Sequence, residues 1–236
     1  FGTKVHPKVA AQICAQGAQR ALCAQCAPCG TLVFIVPSIR YGVPPWLDAV
    51  LVKKRPEFPS FRGDVTHPVV IVGGGMSGAM TAFACAAAGL KPIVLEADRI
   101  GLAGSGRATG LLSGEAAESF RDVEARAGRR VARALFAAME SAPRDLAATV
   151  KRLGIKAGLK AGPGLRVIPP NQTDKALRKE IAAREAAALT ASFLMPAAIA
   201  RQTGIESAGG MRMPDGGFAD PFKLTRGFLS AAIKRG

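Results

Sequence analysis

Residues 69–96 read VVIVGGGMSGAMTAFACAAAGLKPIVLE. The stretch predicts a strand, a glycine turn, a helix and a second strand. Val69 to Val72 is a continuous β-branched run, the pattern of a strand buried on both faces. Gly73-Gly74-Gly75-Met76-Ser77-Gly78 then supplies G-x-G-x-x-G. The first glycine allows a tight turn, the second lets a pyrophosphate approach the backbone, and the third lets the helix pack against the strands. The free N–H groups and positive dipole end of that helix would face phosphates. Gly78, Ala82 and Ala86 recur every four positions and make one small face toward the sheet. Gly89 predicts the helix end. Ile93-Val94-Leu95 is the second strand, and Glu96 closes it 18 residues after Gly78. That spacing suits a carboxylate that takes ribose hydroxyls, and its charge disfavours a 2′-phosphate, which points to FAD or NAD rather than NADP. A G-x-G-x-x-G alone is a weak signal, and a ligand-free glycine turn is the competing reading. The preceding strand, the helix and the terminal acid argue for the nucleotide.

Downstream lies a second glycine-rich loop, Ala97-Asp98-Arg99-Ile100-Gly101-Leu102-Ala103-Gly104-Ser105-Gly106-Arg107-Ala108-Thr109-Gly110. It offers backbone donors, hydroxyls at Ser105 and Thr109, and a cation at Arg107. Such a loop can close over a cofactor held by the first turn; a flexible surface connection stands level with that reading on physical grounds.

Two helical stretches follow. In 129–153, Val131, Leu135 and Met139 mark one apolar face, and Leu146, Val150 and Leu153 another. Pro143 is expected to kink or split this pattern, with Ser141 capping the second part and Gly154 stopping it. Leu165 to Ile168 is a short strand. Lys175 to Leu189 is a helix with Leu177 and Ile181 inward and a surface pair between Glu180 and Arg184. Pro214-Asp215-Gly216 reads as a turn between two short extended segments. Asp220-Pro221 reads as N-cap and first residue of a last helix that turns Leu224, Phe228 and Ile233 to the core.

The 236 residues are 49% hydrophobic and 21% charged, which describes a globular chain rather than a disordered one. The longest near-apolar run, Ala79 to Leu90, is too short to span a bilayer, and the expected location is cytoplasmic. The formal charge is +15, which admits nucleic acid as a partner. The cations are scattered, however, and a single Trp and a single Tyr give no stacking platform, so a solvated basic surface is favoured over nucleic-acid or membrane binding.

Cys23, Cys26 and Cys29 have the C-x2-C-x2-C spacing of some iron–sulfur sets, with Cys14 upstream. The fourth ligand with its following proline is missing, and no second pair completes a zinc site, so no metal is expected. Residues 1–35 read as a leader foreign to the native domain, with Val36 at the position of a valine-type start. The chain reads as incomplete at both ends. The arm that follows is rich in proline and contains Tyr41 and Trp46, expected to anchor it to the domain surface.

At this point the chain resembles the FAD-dependent oxidoreductases of the glycine/D-amino-acid oxidase superfamily. The resemblance rests on VVIVGGGMSGAMTAFACAAAGLKPIVLEADRIG with GSGRATGLL, on PDGGFADPFKLTRGFLSAA, and on the arm YGVPPWLD, which resembles that of gamma-glutamylputrescine oxidoreductase-like members. It implies an α/β fold: a Rossmann-like FAD-binding βαβ unit interleaved with an incomplete α+β substrate domain. The implied layout is a leader at 1–36, an arm at 37–66, a FAD-binding part at 67–155, the start of a substrate domain at 156–219, and a helix at 220–236 returning to the FAD part. The implied FAD contacts are Gly73, Gly74, Gly75, Met76, Ser77 and Gly78, then Glu96 and Ala97, then Ser105, Gly106, Arg107 and Gly110. Ala103 stands where the family usually has glycine and Ala108 where asparagine is frequent.

The chemistry implied is oxidation of an amine or amino-acid C–N bond by hydride transfer to flavin. It needs no dedicated nucleophile, in keeping with a chain whose only histidines are His6 and His67, and no catalytic residue is assigned. The substrate is left open, and so is the oligomeric state. The rival readings are an NAD-dependent dehydrogenase with the same fingerprint, a basic nucleic-acid-binding protein, and an inactive truncated product.

Overall fold

The computed structural model describes residues 3–5, 42–48 and 58–235. The cysteine cluster, His6, Tyr41 and the expected start at Val36 lie outside the described residues. The elements begin with β1 (Thr3–Val5), α1 (Pro45–Asp48), β2 (Val65–His67), β3 (Val69–Val72), α2 (Met76–Ala87), β4 (Pro92–Leu95) and a 3-10 turn (Ser105–Arg107). They continue with β5 (Leu111–Ser113), α3 (Phe120–Ala127), α4 (Arg129–Arg152), β6 (Lys160–Ile168), α5 (Lys175–Ala186), β7 (Ser192–Leu194), α6 (Pro196–Thr203), β8 (Gly209–Phe218) and α7 (Pro221–Ile233). They form two compact units, Phe1–Thr109 with Pro221–Gly236, and Gly110–Asp220. The contacts therefore divide at Gly110, whereas the sequence reading placed that boundary at 155.

In the first unit β3 and β4 pair in parallel, from Val69 opposite Pro92 to Val72 opposite Leu95. The crossover between them is α2, whose Ala79, Ala82 and Ala86 are buried. Helix α2 ends in a tight closure: Gly89 has φ +79°, and the Leu90 N–H donates to the Cys85 carbonyl at 3.0 Å. Helix α7 packs on α2, with the Phe83 and Phe228 rings 5.7 Å apart. Two expectations change here. Ile71 is buried, but Val72 is 58% exposed, because among the described residues this sheet has only two strands. Leu224 and Phe228 are buried as expected, whereas Ile233 is 62% exposed. Nine residues past Leu224 is about two and a half turns, which puts Ile233 on the opposite side of the helix.

The second unit is a sheet ordered β5-β8-β6, with β7 also pairing with β8; helices α4, α5 and α6 pack on the sheet, and α3 packs on α4 and α5. Its two cores centre on Phe120 and Phe136, and on Ile181 and Met211. Strand β8 is continuous through Pro214-Asp215-Gly216, where a turn was expected, and β6 begins at Lys160 rather than at Leu165. The two departures have one cause. The register shifts between Gly162 and Gly164, which pair with Gly216 and Met213. Pro214 falls in the resulting bulge, where no ladder hydrogen bond is asked of it.

Helix α4 also differs from expectation. It runs unbroken through a buried Pro143. Proline removes the donor for the Met139 carbonyl four residues back. The chain at Gly114 comes so close to this carbonyl that a Cβ there would lie 2.9 Å from it. Ser141 caps nothing; its hydroxyl donates to the Ala138 carbonyl at 3.1 Å. The buried stripe is Ala132, Phe136, Pro143 and Val150, while Val131 (48%) and Leu135 (42%) are exposed. An alanine-rich helix offers two apolar stripes one position apart, and the larger ring of Phe136 decides between them. Helix α5 stops at Ala186, three residues short of the expected end.

Candidate functional site

The site grows from the end of β3. Gly73, at φ +101°, turns the chain, and its N–H donates to the Leu95 carbonyl at 2.7 Å, which ties the turn to the end of β4. A Cβ at Gly78 would overlap the Gly73 carbonyl oxygen, so the third glycine is required for the helix to start this close to the strand. Gly74 is buried, and a Cβ there would collide with the Ile100 side chain. Its N–H donates to Glu96 Oε2 at 2.6 Å, and the Asp98 N–H donates to Oε1 of the same carboxylate at 3.1 Å. Glu96 thus holds the first turn as well as ending the second strand. Ala97, beside it, is exposed.

The second loop comes back to the first. The Gly101 N–H donates to the Gly74 carbonyl at 3.1 Å. The Met76 N–H, first of the α2 helix, donates to Ser105 Oγ at 2.8 Å, and a Cβ at Gly75 would lie 3.0 Å from the same hydroxyl oxygen. Gly106 is buried and Arg107 exposed within the 3-10 turn. So Gly73 to Gly78, Glu96, Ser105 and Gly106 come together. Gly110 belongs to the second unit, where its carbonyl accepts from the Ala219 N–H at 2.9 Å.

This arrangement suits a dinucleotide. The α2 cap is Gly75, which brings no side chain of its own. The N–H groups of Ser77 and Gly78 are those that a helix start leaves without an intrahelical acceptor. Ser105, already accepting from Met76, still has its O–H proton to donate. A glycine cradle, helix-start donors and a hydroxyl favour an anionic diphosphate. Each Glu96 oxygen accepts one backbone bond and retains acceptor capacity for hydroxyl groups. The residues present therefore fit a dinucleotide such as FAD.

Sequence reasoning missed what holds the second loop. Trp46 Nε1 donates to the Ala108 carbonyl at 3.0 Å. Leu47 is buried, and its methyl groups lie 3.3 and 3.4 Å from where a Gly106 Cβ would be. Phe222 and Thr225 of α7 face Gly101. Thr225 is fully buried, donates to the Pro221 carbonyl at 2.8 Å and reaches the Met76 sulfur at 3.9 Å. A lone Trp in a proline-rich arm was the available signal, and it was read correctly as an anchor without its target.

The other concentration of charge is in the second unit. Glu180 and Arg184, expected on the surface, are each 4% exposed. Glu180 accepts from the Phe120 N–H at 2.7 Å and the Arg121 N–H at 3.2 Å, and so caps α3 from a neighbouring helix. Arg184 donates through Nε to Glu180 at 2.8 Å and through both terminal nitrogens to Glu115. Burial alone would lower the Arg184 pKa, but its bonds to Glu115 and Glu180 hold it above its ordinary value. Among the described residues no group of three or more His, Cys, Asp or Glu could hold a metal ion, and no helix is long and apolar enough to cross a membrane.

A family model described as "DAO: FAD dependent oxidoreductase" matches residues 68–236. Gamma-glutamylputrescine oxidoreductase of Escherichia coli (strain K12) is 32% identical over 114 residues, which are 48% of this chain and 27% of that protein. Among solved structures, glycine oxidase from Bacillus cereus ATCC 14579 is similar at 22% identity with a TM-score of 0.53, over 71% of this chain and 44% of that one. L-amino acid deaminase from Proteus vulgaris, with its specific insertion sequence deleted, is similar at 20% identity and a TM-score of 0.56, over 71% and 42%. L-proline dehydrogenase from P. horikoshii gives 18% and 0.55, over 71% and 42%. The structural likenesses show a shared fold. The chain spans less than half the length of each of these relatives.

Proposed function

The chain belongs to the DAO family of FAD-dependent oxidoreductases, and from that premise we propose that the first unit holds FAD between its two glycine-rich loops and that the protein oxidises the C–N bond of an amine or amino acid. The observation that carries the first half is the Met76 N–H to Ser105 Oγ bond of 2.8 Å, which joins the two loops at the start of α2. Gly73 to Gly78 offer the backbone for the pyrophosphate, Glu96 the acceptor for the adenosine ribose, and Ser105, Gly106 and Arg107 the covering contacts, with Ala97 alongside. The NAD reading uses the same turn and acid but gives the second loop no role. When bound, FAD would supply the hydride acceptor; the chain's own residues would bind and orient it.

The second half is supported by the relatives: a gamma-glutamylputrescine oxidoreductase, a glycine oxidase and an amino acid deaminase are named for amine or amino acid substrates. The test is anaerobic. FAD-loaded protein is mixed with amines and amino acids, and flavin absorbance is followed. Bleaching by an amine or amino acid, with none by 2-hydroxy acids, is the expected result; bleaching by hydroxy acids alone overturns the substrate class. The same proposal places the protein in the cytoplasm, and recovery of the chain in a washed membrane fraction would contradict that.

A further inference from the structure

We propose that Trp46 and Leu47, on the short helix α1, are positioning residues for the cofactor site, acting through Ser105. This rests on the FAD reading above and adds a part that the glycine motifs do not contain. The 3-10 turn Ser105–Arg107 has no side-chain cap at its start. It is a single turn in a glycine-rich loop, a conformation with little intrinsic stability. What fixes it comes from elsewhere in the chain. The Trp46 indole N–H donates to the Ala108 carbonyl, the residue that closes the turn, at 3.0 Å across 62 positions of sequence. The Leu47 side chain packs under Gly106, where a Cβ would lie 2.5 Å from the Gly101 carbonyl oxygen and 3.3 Å from a Leu47 methyl. Helix α1 is itself in contact with α7, so it is anchored on the body of the unit.

The geometry then runs in one line. Trp46 holds Ala108, Leu47 supports Gly106, and between them the turn presents Ser105 Oγ to the Met76 N–H at 2.8 Å. A hydroxyl in that place accepts from the helix start and can give its own proton to an anion. Its value depends on position, because hydrogen-bond strength falls steeply with misalignment. Without Trp46 and Leu47 the turn can sample other conformations, and the ordering cost falls on ligand binding.

The test uses the full chain and three variants: Trp46→Phe, which keeps a ring and removes the N–H, Ser105→Ala, and the two combined. FAD dissociation constants are read from flavin fluorescence, and melting temperatures alongside. Trp46→Phe should weaken FAD by about 2- to 12-fold, the scale of one net hydrogen bond. The double variant should bind no more weakly than Ser105→Ala alone, since Trp46 acts through that hydroxyl. Unchanged FAD affinity in Trp46→Phe, or losses that multiply in the double variant, would overturn the inference. A lowered melting temperature with unchanged affinity also would, because it marks a structural role only. A second measurement needs no variant. Trp46 is the only Trp in the chain, so ADP, which has no flavin to quench by energy transfer, should shift its emission saturably; bound ADP with unmoved emission counts against the proposal. Failure of the wild-type chain to bind FAD or ADP at all would overturn the FAD reading and this inference with it, whereas wild-type binding with an indifferent Trp46→Phe overturns the inference alone.

Discussion

Two carboxylates, one in each unit, do the same local job with opposite consequences. Glu96 and Glu180 each accept from two backbone N–H groups and so hold a piece of chain that starts or turns beside them. In the second unit the acid is buried with Arg184, which in turn binds Glu115, so its lone pairs are committed to the protein. In the first unit Glu96 is half-buried, and among the described residues no Lys or Arg pairs with it. A cation beside the carboxylate makes a structural cap; its absence leaves acceptor capacity for a ligand. Spacing in sequence pairs Glu180 with Arg184 on one helix, but does not show that the pair is buried under the start of α3 and against Glu115, since those partners come from elsewhere in the chain.

The contrast can be broken most forcefully at Glu180. Glu180→Ala leaves the Arg184 charge half-compensated and two N–H groups of α3 unpaired; it should cost about 3–5 kcal/mol of stability in urea unfolding. A loss under about 1 kcal/mol would mean the buried network is not the cap described. On the ligand side, Gly75→Val places a branched side chain against Ser105 Oγ. It should weaken FAD at least a hundredfold, about 3 kcal/mol, with the far-ultraviolet circular dichroism unchanged; full affinity in a folded variant would remove the site from this turn. Glu96→Ala should weaken FAD by about 1–3 kcal/mol, the scale of a charged hydrogen bond, and cost less stability than Glu180→Ala. The reverse order of stabilities would invert the comparison.

Arg184 sharpens it through pH. Its folded pKa is raised above the ordinary arginine value by its bonds to Glu115 and Glu180, against the lowering effect of burial. The stabilisation from a raised pKa is present below the unfolded value and lost only above it, so the wild-type network should not weaken on the alkaline side up to about pH 11. Arg184→Lys replaces a three-armed donor by a point charge and should lose about 2 kcal/mol at neutral pH. It should lose more between about pH 9 and 11, where an amine titrates. The smallest effect is expected for the exposed pair Arg126–Glu118: Glu118→Gln should change stability by about 0.5 kcal/mol or less.

The same division governs what could be read from residue order. The βαβ unit was legible to the residue at Gly73, Gly78 and Gly89, because each acts within its own turn or on the adjoining strand end; Glu96 was legible in its place at the end of β4, but not in its bonds to the Gly74 and Asp98 N–H groups. The second unit was legible only in pieces. Pro214-Asp215-Gly216 has turn composition but lies within a ten-residue strand, since the partner strand shifts register opposite it. Pro143 has the composition of a break but sits inside a 24-residue helix. Val131 and Leu135 kept helical spacing on the wrong stripe. These outcomes depend on partners far along the chain, and a window of periodicity does not contain the partner. At the candidate site the same limit hid Trp46: its residue type announced an anchor, and only the fold supplied Ala108 as its acceptor.

The most direct test of the central claim is an FAD titration of the purified chain, read by flavin fluorescence, with NAD as competitor and Glu96→Ala run in parallel. Saturable binding that NAD does not displace, weakened in Glu96→Ala, is the predicted result and places the cofactor on the turn and acid of the first unit. Displacement by NAD, or FAD binding indifferent to Glu96→Ala, would contradict it.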